Sequence, residues 1–267
     1  MKKIQLIKQD HKIKLGKQCP FIEPNIIEDC LLQVEDETIG FYINDVSKYS
    51  KKLTQLLSIA NKEFRSDNVP KTEMIRGPRG TNADVEKRKA EGAERVTQYS
   101  TILGSIAPKP VMRRPYPNIS SVHSKRKAQT FIKAMLGASI ESEKIIEQLA
   151  PEIYKAQLNA LIDVKEKWKF GQMFTSSISN FNIAAKYHRD TANIVGAVNV
   201  ILTKRNNANG GCLNVPDYNA TFEQKNNSML VYPAWKNMHG VTPIQKTSNE
   251  GYRNSFIFYP LKAFKGI

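Results

Sequence analysis

From Lys169 to the C-terminus the sequence is a series of short segments rich in Val, Ile, Thr, Phe and Tyr, such as "GAVNVILT", "SMLVYPA" and "RNSFIFYPL". Gly, Asn and Pro separate these segments, which is typical of strands joined by tight turns. Because segments this short cannot be long helices, the pattern predicts an antiparallel sandwich or jelly roll. It excludes a chain built only from helices.

Before Lys169 the pattern differs. Leu53, Leu56, Leu57 and Ala60 follow the i, i+3, i+4, i+7 spacing of a helix that ends near Phe64. Residues 125–168 also have helical spacing, and Pro151 is expected to begin a second helical segment. Within residues 71–124 the chain changes character: residues 73–96 are rich in Gly, Arg and Lys, and the stretch of residues 107–127 combines repeated prolines with basic side chains. Because proline blocks regular pairing, residues 107–127 are predicted to form an ordered loop or extended chain rather than a sheet or helix.

These patterns predict an α+β protein. We expect residues 1–168 to form a helical and basic, loop-rich region that packs on the sheet and contributes to substrate binding. Residues 169–267 would form the sheet core, and the two parts together one structural unit.

The composition limits the class of partner. The formal net charge is +15 across 267 residues, which favours polyanionic partners, nucleic acid first. No apolar run approaches the roughly 20 residues of a membrane span, and the basic N-terminus is not followed by a signal-peptide core. We therefore expect an intracellular protein that is not secreted, has no membrane partner, and is assumed to be a monomer. Three cysteines without a C-x-x-C pair support neither a disulfide framework nor a cysteine zinc site.

The segment "YHRD" suggests a metal site. In an extended segment residues i and i+2 share a face, so His188 and Asp190 would project together. His239, at the end of a later strand, can add a second imidazole. Two imidazoles and one carboxylate on one face form the set that suits non-haem Fe(II). The alternative is that all three residues only satisfy local hydrogen bonds.

The final strand, "YRNSFIFY", places Arg253 and Ser255 on one face of an apolar segment. A guanidinium that points into an apolar interior needs an anion, because a buried unpaired charge is very unfavourable. A fork-shaped donor next to a hydroxyl can bind a carboxylate through two hydrogen bonds. The pattern therefore indicates a site for a small dicarboxylate beside the metal.

The order H-x-D, then a distant His, then R-x-S resembles the Fe(II)/2-oxoglutarate-dependent dioxygenases, whose core is a double-stranded β-helix. The resemblance covers residues 169–264. The segments "MRRPYPNISSVHS", "AAKYHRDTANIVGAVNVIL", "GGCLNVPDYNATFEQ" and "SMLVYPAWKNMHGVTPI" are most similar to the TET/JBP group. The enzymes of that group oxidise the methyl group of 5-methylcytosine or thymine in nucleic acid.

The resemblance implies three cofactors and cosubstrates, namely Fe(II), 2-oxoglutarate and O₂. It implies that His188, Asp190 and His239 bind the iron, and that Arg253, assisted by Ser255, binds the distal carboxylate of 2-oxoglutarate. It further implies a base hydroxylase acting on DNA rather than RNA.

Other residues are candidates for contacts with cosubstrate or substrate. Asn182 would contact the cosubstrate and Asn193 the substrate, although either can equally be a turn residue. Tyr232 and Trp235 could stack on a base or belong to the core. Arg113 and Arg114, with Arg76 and Arg79, could line a phosphate groove or pair with acidic residues of the helices.

Two other functions remain open at this stage. The same core could hydroxylate a protein side chain or a free nucleotide, since the fold does not determine the substrate. A non-enzymatic basic binding module with a vestigial metal site is the third interpretation, and the intact set of His188, Asp190, His239 and Arg253 argues against it.

Overall fold

The computed structural model describes residues 1–75, 95–109 and 115–267. Three α-helices lie in these ranges: α1 Lys51–Arg65, α2 Gln129–Leu149 and α3 Pro151–Ala160. The strands of the first part are β1 Lys2–Gln5, β2 Cys30–Val34, β3 Glu37–Ile43, β4 Thr72–Ile75, β5 Arg95–Ile106 and β6 Asn118–Ile119. Those of the second part are β7 Ser176–Phe181, β8 Ala185–His188, β9 Asn199–Asn206, β10 Ala208–Gly210, β11 Leu213–Val215, β12 Ala220–Phe222, β13 Met229–Tyr232, β14 His239–Val241, β15 Ile244–Lys246 and β16 Tyr252–Tyr259.

Two facing sheets form the core. The larger has the order β1-β2-β3-β13-β9-β16-β7-β5-β4, with β6 paired to β5. The smaller has the order β12-β11-β14-β8, and β10 and β15 form a separate pair. Tyr42, Ile201 and Leu230 of the larger sheet share a core with Leu213 and Phe222 of the smaller sheet. This arrangement is the jelly-roll core of the double-stranded β-helix, so the predicted α+β fold class is confirmed.

Strand β16 shows how the sequence positions the two faces of the larger sheet. Phe256 and Phe258 are fully buried and pack in the core beneath the helices. The alternate residues, including Arg253 and Ser255, line a cavity on the opposite face. Successive side chains of a strand point to opposite faces. One strand therefore packs against the helices with one set of side chains and lines the cavity with the other. Burying each Phe side chain contributes about 1.5–3 kcal/mol.

The helices cover the outer face of the larger sheet. The hydroxyl of Ser50 accepts a hydrogen bond from the backbone N–H of Leu53 at 3.0 Å and caps α1. Leu53 and Leu57 are fully buried, and α3 begins at Pro151. The predicted helices are therefore confirmed. Within the described ranges, no helix has the length and apolar character needed to span a bilayer.

The sequence pattern indicated strands only after Lys169. Strands β1–β6 all precede it, and the short strand β6 lies within residues 107–127, where the prediction of a loop or extended chain rather than a sheet was wrong for these two residues. Their pairing is long-range: β3 joins the larger sheet through β13, and β5 joins it through β7. Charged residues interrupt the apolar pattern of these strands, so their partners rather than their own sequence determine them. Strands from both sides of residue 168 thus share one sheet, while the division of the chain there stays a prediction.

Candidate active site

The two histidines face each other across neighbouring strands. His188 ends β8, His239 begins β14, and the two residues are direct cross-strand partners. Their ring centroids lie 4.2 Å apart. Residues opposite each other on antiparallel strands point to the same face, which explains why positions so distant in sequence meet.

Asp190 completes the cluster from the turn that follows β8. Its Oδ1 lies 3.5 Å from Nε2 of His188. One ligand atom from each of His188, Asp190 and His239 lies within 4.8 Å of the other two. Two imidazoles and one carboxylate at this separation can bind a single ion from one side and leave its other positions open.

Backbone carbonyls orient both imidazoles. Nδ1 of His188 lies 2.7 Å from the carbonyl oxygen of Lys186, and Nδ1 of His239 lies 3.1 Å from that of Asn237. A carbonyl can only accept a hydrogen bond, so in the neutral form of each ring Nδ1 carries the proton and Nε2 keeps its lone pair. This tautomer is the one that a metal requires when Nε2 is the ligand.

The environment of His239 keeps its ring neutral. Burial, with the nearby imidazole of His188 adding to it, lowers the pKa of His239 to about 4. A metal binds the neutral form of imidazole, so the site does not need to lose a proton from His239 at neutral pH.

Two asparagines support the carboxylate. Nδ2 of Asn199 donates to Oδ2 of Asp190 at 2.9 Å, and Nδ2 of Asn193 donates to Oδ1 of Asn199 at 2.8 Å. Asn199 and Asn193 are both buried. The network occupies one oxygen of Asp190 and leaves Oδ1, the oxygen nearest His188, for a metal.

Arg253 is the buried cation of the site. Its side chain is 2% exposed, and its Nε has no hydrogen-bond partner among the described residues. Burial, with Arg205 adding to it, lowers the pKa of Arg253 to about 10, so the group is still charged at neutral pH. Ser255 lies two residues along β16 and is also buried. A buried cation in this state favours a bound anion.

One cavity contains all of these groups. It measures about 440 Å³, and its lining includes the three candidate metal ligands together with Arg253 and Ser255. The remaining wall is largely apolar, from Ile178, Ile201, Leu213, Val241 and Ile257. Apolar walls with a few convergent polar groups are typical of ligand sites of this size.

The other predicted contact residues have separate positions. Asn193 and Tyr232 line the cavity, and the Tyr232 ring lies edge-on to His239 at 5.4 Å. Trp235 is half-buried and lies outside the cavity lining. Arg113 and Arg114 fall outside the described residues, as do Arg76 and Arg79, so the predicted phosphate groove stays a prediction.

The structure gives Asn182 a position behind the cavity wall. Its backbone has a left-handed φ of 55°, and its Oδ1 accepts a hydrogen bond from the backbone N–H of Arg253 at 2.8 Å. Its own N–H donates to the carbonyl of Arg253 at 2.9 Å. Asn182 is not part of the cavity lining. It holds the backbone that carries the guanidinium, and the predicted contact with the cosubstrate stays a prediction.

Two residues of the site were not predicted. Asn199 supports Asp190, and Tyr259 lines the cavity at the end of β16. Asn199 is the polar residue in the otherwise apolar segment "GAVNVIL", which is a signal that could have identified it. Tyr259 continues the alternation of Arg253 and Ser255 and could have been found in the same way.

The residues present fit an Fe(II) ion with a dicarboxylate cosubstrate. The imidazoles have the required tautomer, one carboxylate oxygen is free, and the same cavity holds a buried guanidinium whose Nε has no hydrogen-bond partner among the described residues. The fold and the site together define the class of the iron- and 2-oxoglutarate-dependent oxygenases.

Residues 110–262 match the model of the Tet_JBP family, the oxygenase domain of the 2OGFeDO superfamily. The match covers more than half of the 267 residues, and the chain belongs to this family. The superfamily uses Fe(II), 2-oxoglutarate and O₂, which confirms the predicted cofactors. No curated protein matches the sequence.

Solved structures also match this chain. NgTET1 in complex with 5mC DNA superposes with a TM-score of 0.58 at 14% identity, covering 89% of this chain and 78% of that one. IDO from Bacillus thuringiensis has a TM-score of 0.42 at 13% identity, covering 84% of this chain and 90% of that one. JOX2 in complex with 2OG, Fe and JA has a TM-score of 0.44 at 12% identity, covering 84% of this chain and 68% of that one.

Proposed function

We propose that this protein hydroxylates the methyl group of 5-methylcytosine or thymine in DNA. The observation that carries the proposal is the single cavity in which His188, Asp190, His239 and Arg253 converge, in a member of the Tet_JBP family. The net charge of +15 supports a polyanionic substrate. NgTET1, whose fold is similar, was solved with DNA that contains 5mC.

Each group of the site has a distinct task in this proposal. His188, Asp190 and His239 hold the iron, and Arg253 binds the distal carboxylate of 2-oxoglutarate, with Ser255 as a second hydrogen-bonding group. When bound, iron, 2-oxoglutarate and O₂ together supply an oxidant that converts a substrate methyl group to hydroxymethyl, while 2-oxoglutarate becomes succinate and CO₂. The protein binds and orients the reactants and limits the access of water.

The size and exposure of the cavity support a single base as the substrate. A volume of about 440 Å³ fits a small cosubstrate and one ring, whereas a base pair within its stack cannot enter. Enzymes that act on a base in a duplex extrude it into the active site or use single-stranded DNA. His188 is 44% exposed and Arg189 is exposed, so the cavity is open to solvent on this side.

The proposal assigns substrate contacts to residues around the cavity. Asn193 and Tyr232 would contact the base from the wall, and Trp235 would stack on a neighbouring base outside it. Arg113 and Arg114 would contact phosphates. Replacing each of these residues and comparing KM with kcat on DNA would test the assignments one by one.

Nucleoside mass spectrometry tests the function. Methylated and unmethylated DNA are incubated with Fe(II), 2-oxoglutarate and either the protein or His188→Ala, and are then digested. The proposal expects one added oxygen on 5-methylcytosine or thymine with the protein and none with the variant. Unchanged DNA, together with succinate formed on peptides or free nucleotides, would contradict the proposal and identify a different substrate class.

A further inference from the structure

An N-terminal strap, residues 8–18, runs along the edge of the smaller sheet. The backbone N–H of Gly16 donates to the carbonyl of Tyr187 at 2.8 Å, and the N–H of Tyr187 donates to the carbonyl of Lys17 at 2.9 Å. Strand β14 already pairs with the other side of β8, so the strap covers the remaining edge. The strap therefore contacts the residue that directly precedes the candidate metal ligand His188.

A second anchor ties the strap to the strand of the other histidine. Nε2 of His11 lies 2.7 Å from Oδ1 of Asp217, and the N–H of Gln9 donates to the carbonyl of Asp217 at 2.8 Å. Oδ2 of Asp217 accepts a hydrogen bond from the N–H of Met238 at 3.0 Å. Met238 directly precedes His239. The strap is thus a built element, fixed beside both strands that carry histidines of the site.

The strap presents a group of exposed cations. A surface cavity of about 330 Å³ is lined by three of its lysines together with Tyr187, and all of these lysines are exposed: Lys12, Lys14 and Lys17. Lys8, Lys186 and Arg189 are also exposed and extend the group along the strap and β8. None of the six forms an ion pair within the described part of the chain.

The arrangement has the chemistry of a phosphate-binding surface. Like charges held near one another on a fixed backbone raise the local positive potential, and a polyanion lowers it. Ile13 and Leu15 alternate with the lysines and are 37% and 57% exposed, which provides apolar surface for sugars or bases. The strap thus presents exposed cations together with exposed apolar side chains, next to the side of the active-site cavity that is open to solvent.

We propose that the N-terminal strap binds the sugar–phosphate backbone of the DNA substrate next to the base that enters the cavity. This inference rests on the proposed function and deepens it, because it names the surface that holds the strand. Phosphate contacts carry no sequence information, so the strap contributes affinity and register rather than a preference for the methylated base.

The test replaces the three lysines of the cavity with glutamine in the full-length chain: Lys12→Gln, Lys14→Gln and Lys17→Gln. Fluorescence anisotropy measures binding to a labelled DNA duplex and to its single strand, each methylated and unmethylated, over a series of KCl concentrations. At about 0.1 M KCl we expect binding to methylated and unmethylated DNA alike to weaken roughly 100-fold or more. The slope of log K against log salt should decrease in magnitude by about 3, about one for each lost phosphate contact.

A matched control removes the same charge from the helical layer on the other face of the larger sheet. It carries three substitutions of exposed lysines on α1 and α2 that form no ion pair with any residue the structure describes: Lys51→Gln, Lys62→Gln and Lys133→Gln. General loss of charge would weaken both triple variants equally, whereas the inference expects the larger loss and the changed slope in the strap variant alone. Thermal unfolding confirms that each variant is folded.

The outcomes separate this inference from the proposed function. If the wild-type protein oxidises and binds DNA, but the strap variant has unchanged affinity and slope or matches the control, the strap inference is overturned and the function stands. If the wild-type protein neither binds nor oxidises DNA, both are overturned. A selective loss in the strap variant supports the inference.

Discussion

Replacing Arg253 with glutamine should remove most of the affinity for 2-oxoglutarate while leaving the iron ligands in place. The guanidinium is 2% exposed, and its Nε has no partner among the described residues, so the distal carboxylate would meet a desolvated cation. Removing one partner of a buried, hydrogen-bonded charge pair costs about 2–5 kcal/mol. At about 1.4 kcal/mol for each factor of ten, the Kd should rise roughly 30- to 4,000-fold.

Thermodynamic linkage gives a second measure of the same effect. At a 2-oxoglutarate concentration of about 100 times the wild-type Kd, binding stabilises the folded wild-type protein by about 2.7 kcal/mol. In Arg253→Gln, the same concentration should stabilise it by at most about 0.9 kcal/mol. Calorimetric titration with Mn(II) in place of Fe(II) prevents turnover and measures the Kd directly, and denaturant unfolding with and without ligand measures the stabilisation.

Two controls isolate the distal carboxylate. A 2-oxo acid without that carboxylate, 2-oxobutyrate, should bind Arg253→Gln and the wild type equally well. Arg205 is the cross-strand partner of Arg253 but lies outside the cavity lining, so Arg205→Gln should keep nearly the wild-type affinity. Equal losses for both ligands, or an unchanged Kd for 2-oxoglutarate, would refute the assignment of Arg253.

Three further predictions concern buried polar groups. Asn199→Ala removes the hydrogen bond to Oδ2 of Asp190, so metal affinity, measured by Mn(II) titration, should fall about 10- to 100-fold; an unchanged affinity would show that Asp190 needs no such support. Burial raises the pKa of Glu143, whose Oε1 accepts hydrogen bonds from the backbone N–H groups of residues 172–173. The folded-state pKa thus lies above the unfolded value of about 4.3, and this carboxyl makes the protein less stable as the pH rises through the interval between the two values. Glu143→Gln should lose that part of the pH dependence in denaturant unfolding, whereas Glu143→Ala should cost about 2 kcal/mol or more at all pH values; identical pH profiles for wild type and Glu143→Gln would contradict this. Tyr232→Phe removes a buried hydroxyl that has no partner among the described residues, so the free energy of unfolding without ligand should stay the same or rise by up to about 1 kcal/mol. The KM for methylated DNA should rise roughly 5- to 10-fold, because Tyr232 is proposed to contact the base; an unchanged KM would place the hydroxyl away from the base.

The residues of the site that could be predicted from the sequence were identified by the local periodicity of side chains along a strand. The period of two along a strand predicts that Arg253 and Ser255 share a face, and the structure has both in the cavity lining. The spacing of His188 and Asp190 likewise predicts that they lie together, and the structure brings them within 3.5 Å of each other. His239 was a candidate for the second imidazole because it lies at the end of a later strand, and the resemblance to a known family then implied that it binds the iron. Helix α1 was predictable because its apolar residues repeat along one face.

The features that were missed depend on contacts between distant parts of the chain. Asn182 binds the backbone of Arg253, and its left-handed φ of 55° is not specified by the neighbouring sequence. Strand β5 is defined by its pairing with β7, and the strap by its pairing with Tyr187. A periodic pattern reports which face of an element is buried but not which element covers it. Such pairings therefore became visible only in the folded structure.

A DNA base hydroxylase of this class couples oxidation of the base to 2-oxoglutarate turnover at one iron site. The most direct measurement follows succinate and oxidised nucleoside in the same reactions, with methylated DNA, unmethylated DNA and no DNA. We expect succinate to increase in step with an oxidised base, and neither product to form without Fe(II) or with His188→Ala. Succinate formed at the same rate without DNA, or an oxidised base formed without 2-oxoglutarate, would refute the proposed function.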